Sequence, residues 1–405
     1  PLGFGSADFA YPAEEELPGW LDQVYTRRRS FAARVGGRIV AHAYHQTQPD
    51  GEGVDTAWQN VRVLPEFRGR GMGTALATHL EDLARSEGKR RILCWAASPP
   101  APGPRLDSPT GHGSLPADNP EVRFLLSRGF RLEQVERGSR LALPVDDDLL
   151  TARRRAAEAH AGTDYRVHHW VDRTPERWRA DRAMLMTRMS TDAPSAGMEE
   201  PADVWTVQRL LDAEERWAND PRHQLMAVVE HVPTSTLVGY SLLIVPPSLS
   251  RPVDQDDTLV LREHRGHRLG MLLKVASIRE LQRVFPGHPS IITFNAEENR
   301  FMLDVNDAVG FAPIAFEGTP VTTPSQEDMG TTGSADQTAM TCCTVETGTI
   351  RCSARPAMIV SPERTETTGS TEAAGPTAWS EATVVTHCLP GPEPISRWGE
   401  TETTI

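Results

Sequence analysis

Long apolar runs are missing from this sequence, and so is any excess of positive charge. No stretch approaches the ~20 apolar residues that cross a bilayer, so no membrane span is expected. Pro1 to Trp20 has neither a basic nor an apolar leader region, so no signal peptide is expected, and the missing initiator Met points to trimming. Lys and Arg total 42 against 55 Asp and Glu, a net charge of -13. Such a chain is a poor partner for nucleic-acid phosphates. It suits a cationic acceptor such as an amine, although many acidic proteins carry no such meaning.

Cysteine is sparse too: Cys94, Cys342, Cys343, Cys352 and Cys388. Cys94 lies in the apolar run Arg91 to Ala96 and reads as a buried, inert thiol. The other four fall in a polar tail without regular zinc spacing. This usage fits a reducing cytoplasm. The histidine pairs His42/His45, His168/His169 and His264/His267 find no third ligand at sensible spacing. An i,i+3 pair on a strand also points to opposite faces, so no metal is expected. No Ser-His-Asp or Cys-His arrangement stands out.

What the sequence has is a repeat. At 405 residues the chain has room for two or three domains. Val61-Arg62-Val63-Leu64-Pro65-Glu66-Phe67-Arg68-Gly69-Arg70-Gly71-Met72-Gly73 returns as Thr258-Leu259-Val260-Leu261-Arg262-Glu263-His264-Arg265-Gly266-His267-Arg268-Leu269-Gly270. Arg68 and Arg265 align, an offset of 265 − 68 = 197. Each copy is followed by a helical pattern, with Leu76, Leu80 and Leu83 on one face, or Met271, Val275, Ile278 and Leu281. An apolar strand comes next, at Arg91 to Trp95 and at Ser290 to Phe294. Each half then has a helix ending in Gly129-Phe130 or Gly310-Phe311. A unit this long indicates duplicated domains rather than a solenoid.

Upstream, Ser30 to His42 and His45 form a hairpin around Gly36-Gly37, matched by Leu225 to His231 and Leu237 to Val245. The second half adds a strand at Tyr165 to Val171 and helices at Pro175 to Met189 and Val204 to Ala218. The first half offers only a helix at Leu17 to Arg28, and its first strand is missing or irregular. The expected organisation is an α/β mixed sheet in two tandem domains: 1–146, a linker 147–163, 164–317, and a disordered tail 318–405. Thr, Ser, Glu, Gly and Pro dominate that tail, which cannot bury enough apolar surface to offset its ordering entropy. The first half closes with a strand at Ser139 to Leu143 that the second half does not clearly reach. This raises the hypothesis of a reading-frame change near Phe316 to Val321, which one uninterrupted frame with matching codon usage in the coding DNA would refute.

The loop Arg68-x-x-Gly71-x-Gly73 sits between a strand and a helix. Its glycines let the backbone approach a ligand, and the helix N-terminus offers unpaired N–H groups to a pyrophosphate. Alone, such a loop is also compatible with a plain turn or a dinucleotide fold. Strand, Arg-x-x-Gly-x-Gly, amphipathic helix, apolar strand and a helix ending Gly-Phe together resemble the GCN5-related N-acetyltransferase (GNAT) superfamily. Two copies over residues 20–315 resemble its tandem, mycothiol synthase-like members.

The resemblance implies a splayed sheet with acetyl-CoA between its fourth and fifth strands. Val61, Arg62 and Val63 would pair with the pantetheine arm, and Arg68, Gly69, Arg70, Gly71, Met72 and Gly73 would hold the pyrophosphate. In the second half these roles pass to Thr258, Leu259 and Val260, and to Arg265, Gly266, His267, Arg268, Leu269 and Gly270. Arg268 stands where the middle glycine is expected, and its side chain either clashes with the pyrophosphate or points away and adds charge.

The implied reaction is direct transfer of an acetyl group to a small-molecule amine, with no metal, nucleic acid or membrane partner. A base removes a proton from the acceptor ammonium. Asp257 and Asp256 are the candidates, with Asp254 nearby; in the first half only Asp55 and Glu52 are close. A solvated acidic loop is the alternative. The family's Tyr slot falls on Asn306 and on Leu125, neither of which is an acid. Asn306, Asn295 and Asn299 could bind the thioester region or pantetheine, or Asn299 could simply cap a helix. Asp192, Glu199, Glu200 and Asp203 suit a cationic acceptor, or belong to an ordinary loop. Ser98 to Pro120 is a lid, a linker or a passive surface loop. The competing reading is an acyl-CoA-binding module with one or both halves degenerate. The expected assembly is a monomer with an internal pseudo-dimer, or a homodimer.

Overall fold

The computed structural model describes residues 3–21, 23–49, 51–192, 196, 202–323, 340–346, 349–354 and 382–385. The chain forms two compact units, one of residues 20–47, 57–90 and 324–405, the other of residues 1–19, 48–56 and 91–323. They do not coincide with the two sequence halves. No helix among the described residues is long and apolar enough to cross a membrane.

Helix α1 (Ala13–Leu21) belongs to the larger unit up to Gly19 and runs into the smaller one at Trp20. Strands β1 (Arg27–Val35) and β2 (Arg38–Thr47) form a hairpin whose turn residues, Gly36 and Gly37, both have positive φ. No strand precedes β1 among the described residues. Strand β3 (Thr56–Val63) pairs antiparallel with β2 from Ala41↔Val63 to Thr47↔Ala57 without a register shift. Helix α2 (Met72–Ser86) lays Leu76 and Leu80 on Phe31, Val40, Ala41 and Ala43. Each such leucine contributes about 1.5–3 kcal/mol by leaving water.

Besides residues 1–19 and 48–56, the larger unit holds first the short strands β4 (Arg91–Leu93) and β5 (Ala96–Ser98). A hairpin of β6 (Arg105–Asp107) and β7 (Ser114–Pro116) follows, so the segment expected as a passive loop is partly folded. Then come α3 (Pro120–Ser127) and β8 (Arg131–Ala142). The stretch expected as a linker is helix α4 (Asp147–Ala161), anchored by buried Leu150, Ala157 and Ala161. Next are β9 (Tyr165–Val171), α5 (Arg179–Asp192), α6 (Val207–Trp217), β10 (His223–His231), β11 (Thr236–Val245) and β12 (Val253–Val260). Helix α7 (Leu269–Val284), β13 (Ser290–Ala296), α8 (Arg300–Val309) and β14 (Ala312–Thr322) complete it.

Strand β14 corrects two expectations. The second half does reach its final strand, and the tail expected to start at 318 starts inside it. The proposed frame-change window, Phe316 to Val321, lies within this paired strand. Of the remaining tail the structure describes only Met340–Glu346, Thr349–Ala354 and Ala382–Val385, as short strands.

The sheet of this unit runs β14-β8-β13-β12-β11-β10-β9, with β4 and β5 beside β14. The last strands of the halves are therefore exchanged. First-half β8 lies against second-half β13, from Ser290↔Ala142 to Ala296↔Glu136. Second-half β14 lies against first-half β5, from Phe316↔Ser98 to Gly318↔Ala96. Arg137 on β8 donates to both carboxylate oxygens of buried Glu297 at 2.8 and 2.9 Å. Helix α7 presses Leu272, Leu273, Val275, Ile278 and Leu281 into the core between the sheet and α4.

Candidate active site

The two glycine-rich loops are built alike, each after a strand and one short 3-10 turn. Leu64 N–H donates to the Val40 carbonyl, as Leu261 N–H does to Val238, both at 2.9 Å. Arg68 Nε donates to the Val63 carbonyl at 3.0 Å, and Arg265 Nε to the Val260 carbonyl at 3.1 Å. Both arginines therefore brace the loop rather than reach outward. Gly69 and Gly266 have positive φ, and Gly71 and Arg268, one residue before their helices, are both left-handed, at φ 81° and 57°. Arg268 thus keeps the shape its glycine twin has, at a backbone cost on the order of 1 kcal/mol.

Side chains cap α3, α4, α6 and α8, whereas α2 and α7 have no side-chain cap. Their first N–H groups remain available to a ligand anion. A Cβ built on Gly69, Gly71 or Gly266 would meet nothing within 4 Å. Residues Arg68 to Gly73 and Arg265 to Gly270 thus fit a pyrophosphate.

Strand β12 supplies the rest. It pairs parallel with β13 at only two positions, Val253↔Ile291 and Asp254↔Ile292, and then diverges. Thr258, Leu259 and Val260 follow on the diverging arm. On its other side, β12 pairs with β11 through a bulge: Ser241 faces Thr258 and Leu243 faces Gln255. Asp256 and Asp257 together oppose Leu242 in that bulge, which aims side chains out of the ladder.

The Tyr240 hydroxyl donates to Asp257 Oδ2 at 2.7 Å, and the Arg182 guanidinium lies 4.2 Å from the Tyr240 ring centroid. Burial and the Asp257 charge hold Tyr240 well above the usual phenol range, so it remains a donor. Asp256 is exposed to solvent by surface area yet hemmed in by neighbouring protein atoms. Poor solvation, then the carboxylates of Asp257 and Asp254, raise its pKa above the ordinary carboxylate range. Burial likewise raises Asp254, to about 6, against the hydrogen bond from Tyr11.

Beneath the bulge, Lys274 of α7 is fully buried and donates to Gln255 Oε1 at 3.0 Å. Gln255 Nε2 donates to the Leu242 carbonyl at 2.8 Å, and Thr293 Oγ1 donates to the Gln255 carbonyl at 3.1 Å. This network fixes the point where the strands part. Burial lowers the Lys274 ammonium pKa to about 7. Sequence reasoning missed Lys274, Tyr240 and Arg182; a lysine within the apolar face of α7 was the available signal.

Other candidates fare differently. Asn306 is buried, donates to Asn295 Oδ1 at 2.7 Å and keeps its own Oδ1 without a partner. Asn299 caps α8, accepting from Met302 N–H, and is thereby occupied. Asp192 is paired with Arg188 and Arg262, and Asp203 with Arg209 and Trp205 Nε1, so neither offers an unengaged carboxylate to a cation. Glu199 and Glu200 lie outside the described residues. Asp55 accepts from Thr56 Oγ1 and pairs with Arg91. In the first half, Gln59 and Asn60 occupy the places of Asp256 and Asp257 (256 − 197 and 257 − 197), on a strand with no bulge.

Comparison with known proteins bears on the fold and the family. Residues 6–101 match the acetyltransferase (GNAT) family. The mycothiol acetyltransferase of Frankia casuarinae is 28% identical over 318 residues, 76% of this chain and 78% of that protein. A tandem GNAT protein from the clavulanic acid biosynthesis pathway superposes with a TM-score of 0.60 at 22% identity, covering 80% of this chain and 91% of that one. The GCN5-related glucosamine N-acetyltransferase region of a fungal multi-domain GH3 β-N-acetylglucosaminidase gives 0.51 at 15% identity, covering 78% of this chain and 35% of that one. The chain has the tandem GNAT-like fold and resembles the GCN5-related N-acetyltransferases. The family match and the acetyltransferase relative together support acyl transfer as the general class of activity.

Proposed function

We propose that the chain is an N-acetyltransferase that acetylates a small-molecule amine from acetyl-CoA, with the chemistry in its second half. The observation that carries this is the bulge of β12, which sets Asp256 and Asp257 beside the parting strands in the half that also keeps a phosphate-shaped loop. Acetyl-CoA, when bound, supplies an acyl thioester. Arg265 to Gly270 hold its pyrophosphate, and the diverging edge of Thr258 to Val260 pairs with the pantetheine.

Asp256 takes the proton from the acceptor ammonium, since its raised pKa brings it toward the neutral range where a general base works best. Asp257, oriented by Tyr240, supplies negative charge that holds the ammonium in place. The amine nitrogen then attacks the thioester carbonyl, and N–H groups of the diverging strand steady the oxyanion. Collapse of the tetrahedral intermediate breaks the C–S bond, the surplus proton on nitrogen passes to water, and water protonates the departing thiolate, because Asn306 cannot act as an acid. The first half, with Gln59 and Asn60 in place of carboxylates, binds CoA without turnover. A reducing cytoplasm suits this activity, and the acceptor is neither nucleic acid nor lipid surface.

The test incubates the chain with acetyl-CoA and a panel of amines and follows free thiol. Asp256→Asn is expected to lower kcat by roughly 10²-fold or more, the usual contribution of a general base. The acidic limb of wild-type kcat/KM is expected above the ordinary carboxylate range, because the rate falls as Asp256 gains its proton. Bound CoA without thiol release across the panel would leave only the binding-module reading.

A further inference from the structure

We propose that the N-terminal strap, residues 3–15 of the first half, is the acceptor wall of the second half's site and selects amines carried on a flat apolar body. This rests on the second half being the acetylating one. The strap belongs to the same compact unit as β8, β12 and β13.

The strand register locates the wall. Asp254 lies beside Ile292, and strand alternation puts Phe294, two residues further along β13, on the same face as Ile292. The strap covers that face. Phe4 and Phe9 stack on Phe294 with centroids 5.4 and 5.0 Å away, and on each other at 4.7 Å. Gly138 of β8 lies opposite Phe294 in the register, and a Cβ there would come within 2.9 Å of the ring, so the glycine makes room for it. All three rings are only half-buried.

Farther along the strap, the Tyr11 hydroxyl donates to Asp254 Oδ1 at 2.8 Å, and the Arg251 guanidinium lies over the Tyr11 ring at 5.0 Å. Charged contacts hold the strap at its middle and at its C-terminal end. Asp8 pairs with Arg140 of β8 at 2.9 Å. Buried Glu15 pairs with Arg251, and its carbonyl accepts from Arg222 Nη2 at 2.8 Å.

An ammonium drawn to Asp256 and Asp257 would thus have its carbon body flanked by aromatic surface and its approach bounded by the Tyr11–Asp254 pair. Cation attraction to ring faces reinforces that selection. Tyr11 is a positioning residue: its hydrogen bond holds Asp254 in one orientation and opposes the effect of burial on that carboxyl.

The experiment compares phenethylamine with ethanolamine on the full chain. Calorimetric titration in the presence of CoA reads binding, and thiol release from acetyl-CoA reads turnover. Wild type is expected to favour phenethylamine. Phe9→Ala is expected to raise its Kd and KM about tenfold, within the range of an aromatic contact, while kcat and CoA affinity stay within twofold. Tyr11→Phe is expected to shift the acidic limb of kcat/KM downward in pH, because an Asp254 that holds its proton more tightly withdraws charge that raises Asp256, and a merely structural role would not do this. Equal binding of the two amines by wild type, or a Phe9→Ala chain with unchanged phenethylamine Kd, overturns the strap. Selective binding that Phe9→Ala abolishes, without any thiol release, upholds the strap and fails the proposed acetylation instead.

Discussion

Lys274 gives stability a pH dependence opposite in sign to that of Asp254 and Asp256, whose carboxyls are raised rather than lowered. Its ammonium is fully buried against Gln255 and the ring of Phe311, and burial lowers its pKa to about 7. Unfolding returns it to an ordinary value near 10.4, by the reference scale for lysine. Between about pH 7 and 10 the unfolded chain holds this proton and the folded chain does not, so stability rises with pH across that window. Below pH 7 both states hold the proton and the full penalty is felt. Lys274→Met, similar in volume, is expected to raise stability at pH 7 by an amount on the order of a few kcal/mol, seen as a higher denaturant midpoint. It should also flatten the rise between pH 7 and 10. Chemical denaturation at several pH values checks this, and a lower midpoint at every pH would refute it. The residue scale also shows where sequence reading stops. Gly71 and its twin Arg268 were legible as loop residues from spacing alone. That Arg268 adopts the left-handed conformation of a glycine, instead of distorting the loop, depends on tertiary bracing such as Arg265 to the Val260 carbonyl.

Among the elements, hairpins and amphipathic helices were readable because period and turn residues declare them. Helix α4 was not, since Arg153, Arg154 and Arg155 give its middle a linker's polarity and only three residues are fully buried. Strand β14 was obscured by Pro313, Gly318 and Pro320. Both prolines sit where its register against β8 shifts, the places where a strand tolerates a missing N–H. Nothing local says that β14 crosses to the first half's strands, because strand partnership is a property of the whole sheet. The exchange has a consequence. Ending the chain after Phe311 removes the partner of β5 and exposes one edge of β8. Amides of Ala96 to Ser98 are then expected to lose hydrogen-exchange protection, although they lie more than 200 residues away in sequence. Unchanged protection there would mean that β14 does not hold β5 in solution.

At the scale of the whole molecule, duplication has left two similar loops and one set of carboxylates. Both loops keep a left-handed residue before an uncapped helix, so the chain should bind two CoA molecules. We propose chemistry only at the second, because Gln59 and Asn60 in the first lie on an unbulged strand. Gly73 and Gly270 are the matched probes, each the second residue of its helix, where a side chain brings no left-handed strain. A glutamate there sets a carboxylate against the phosphates and against the dipole's anion preference. Gly270→Glu is expected to reduce CoA stoichiometry from two to one and to abolish thiol release. Gly73→Glu should cost the same single site yet leave turnover within a few-fold of wild type. Equilibrium dialysis with CoA, run beside the thiol assay, reads both quantities. If Gly73→Glu stopped turnover and Gly270→Glu did not, the carboxylates of β12 would not be the catalytic ones, and the two halves would have to exchange roles.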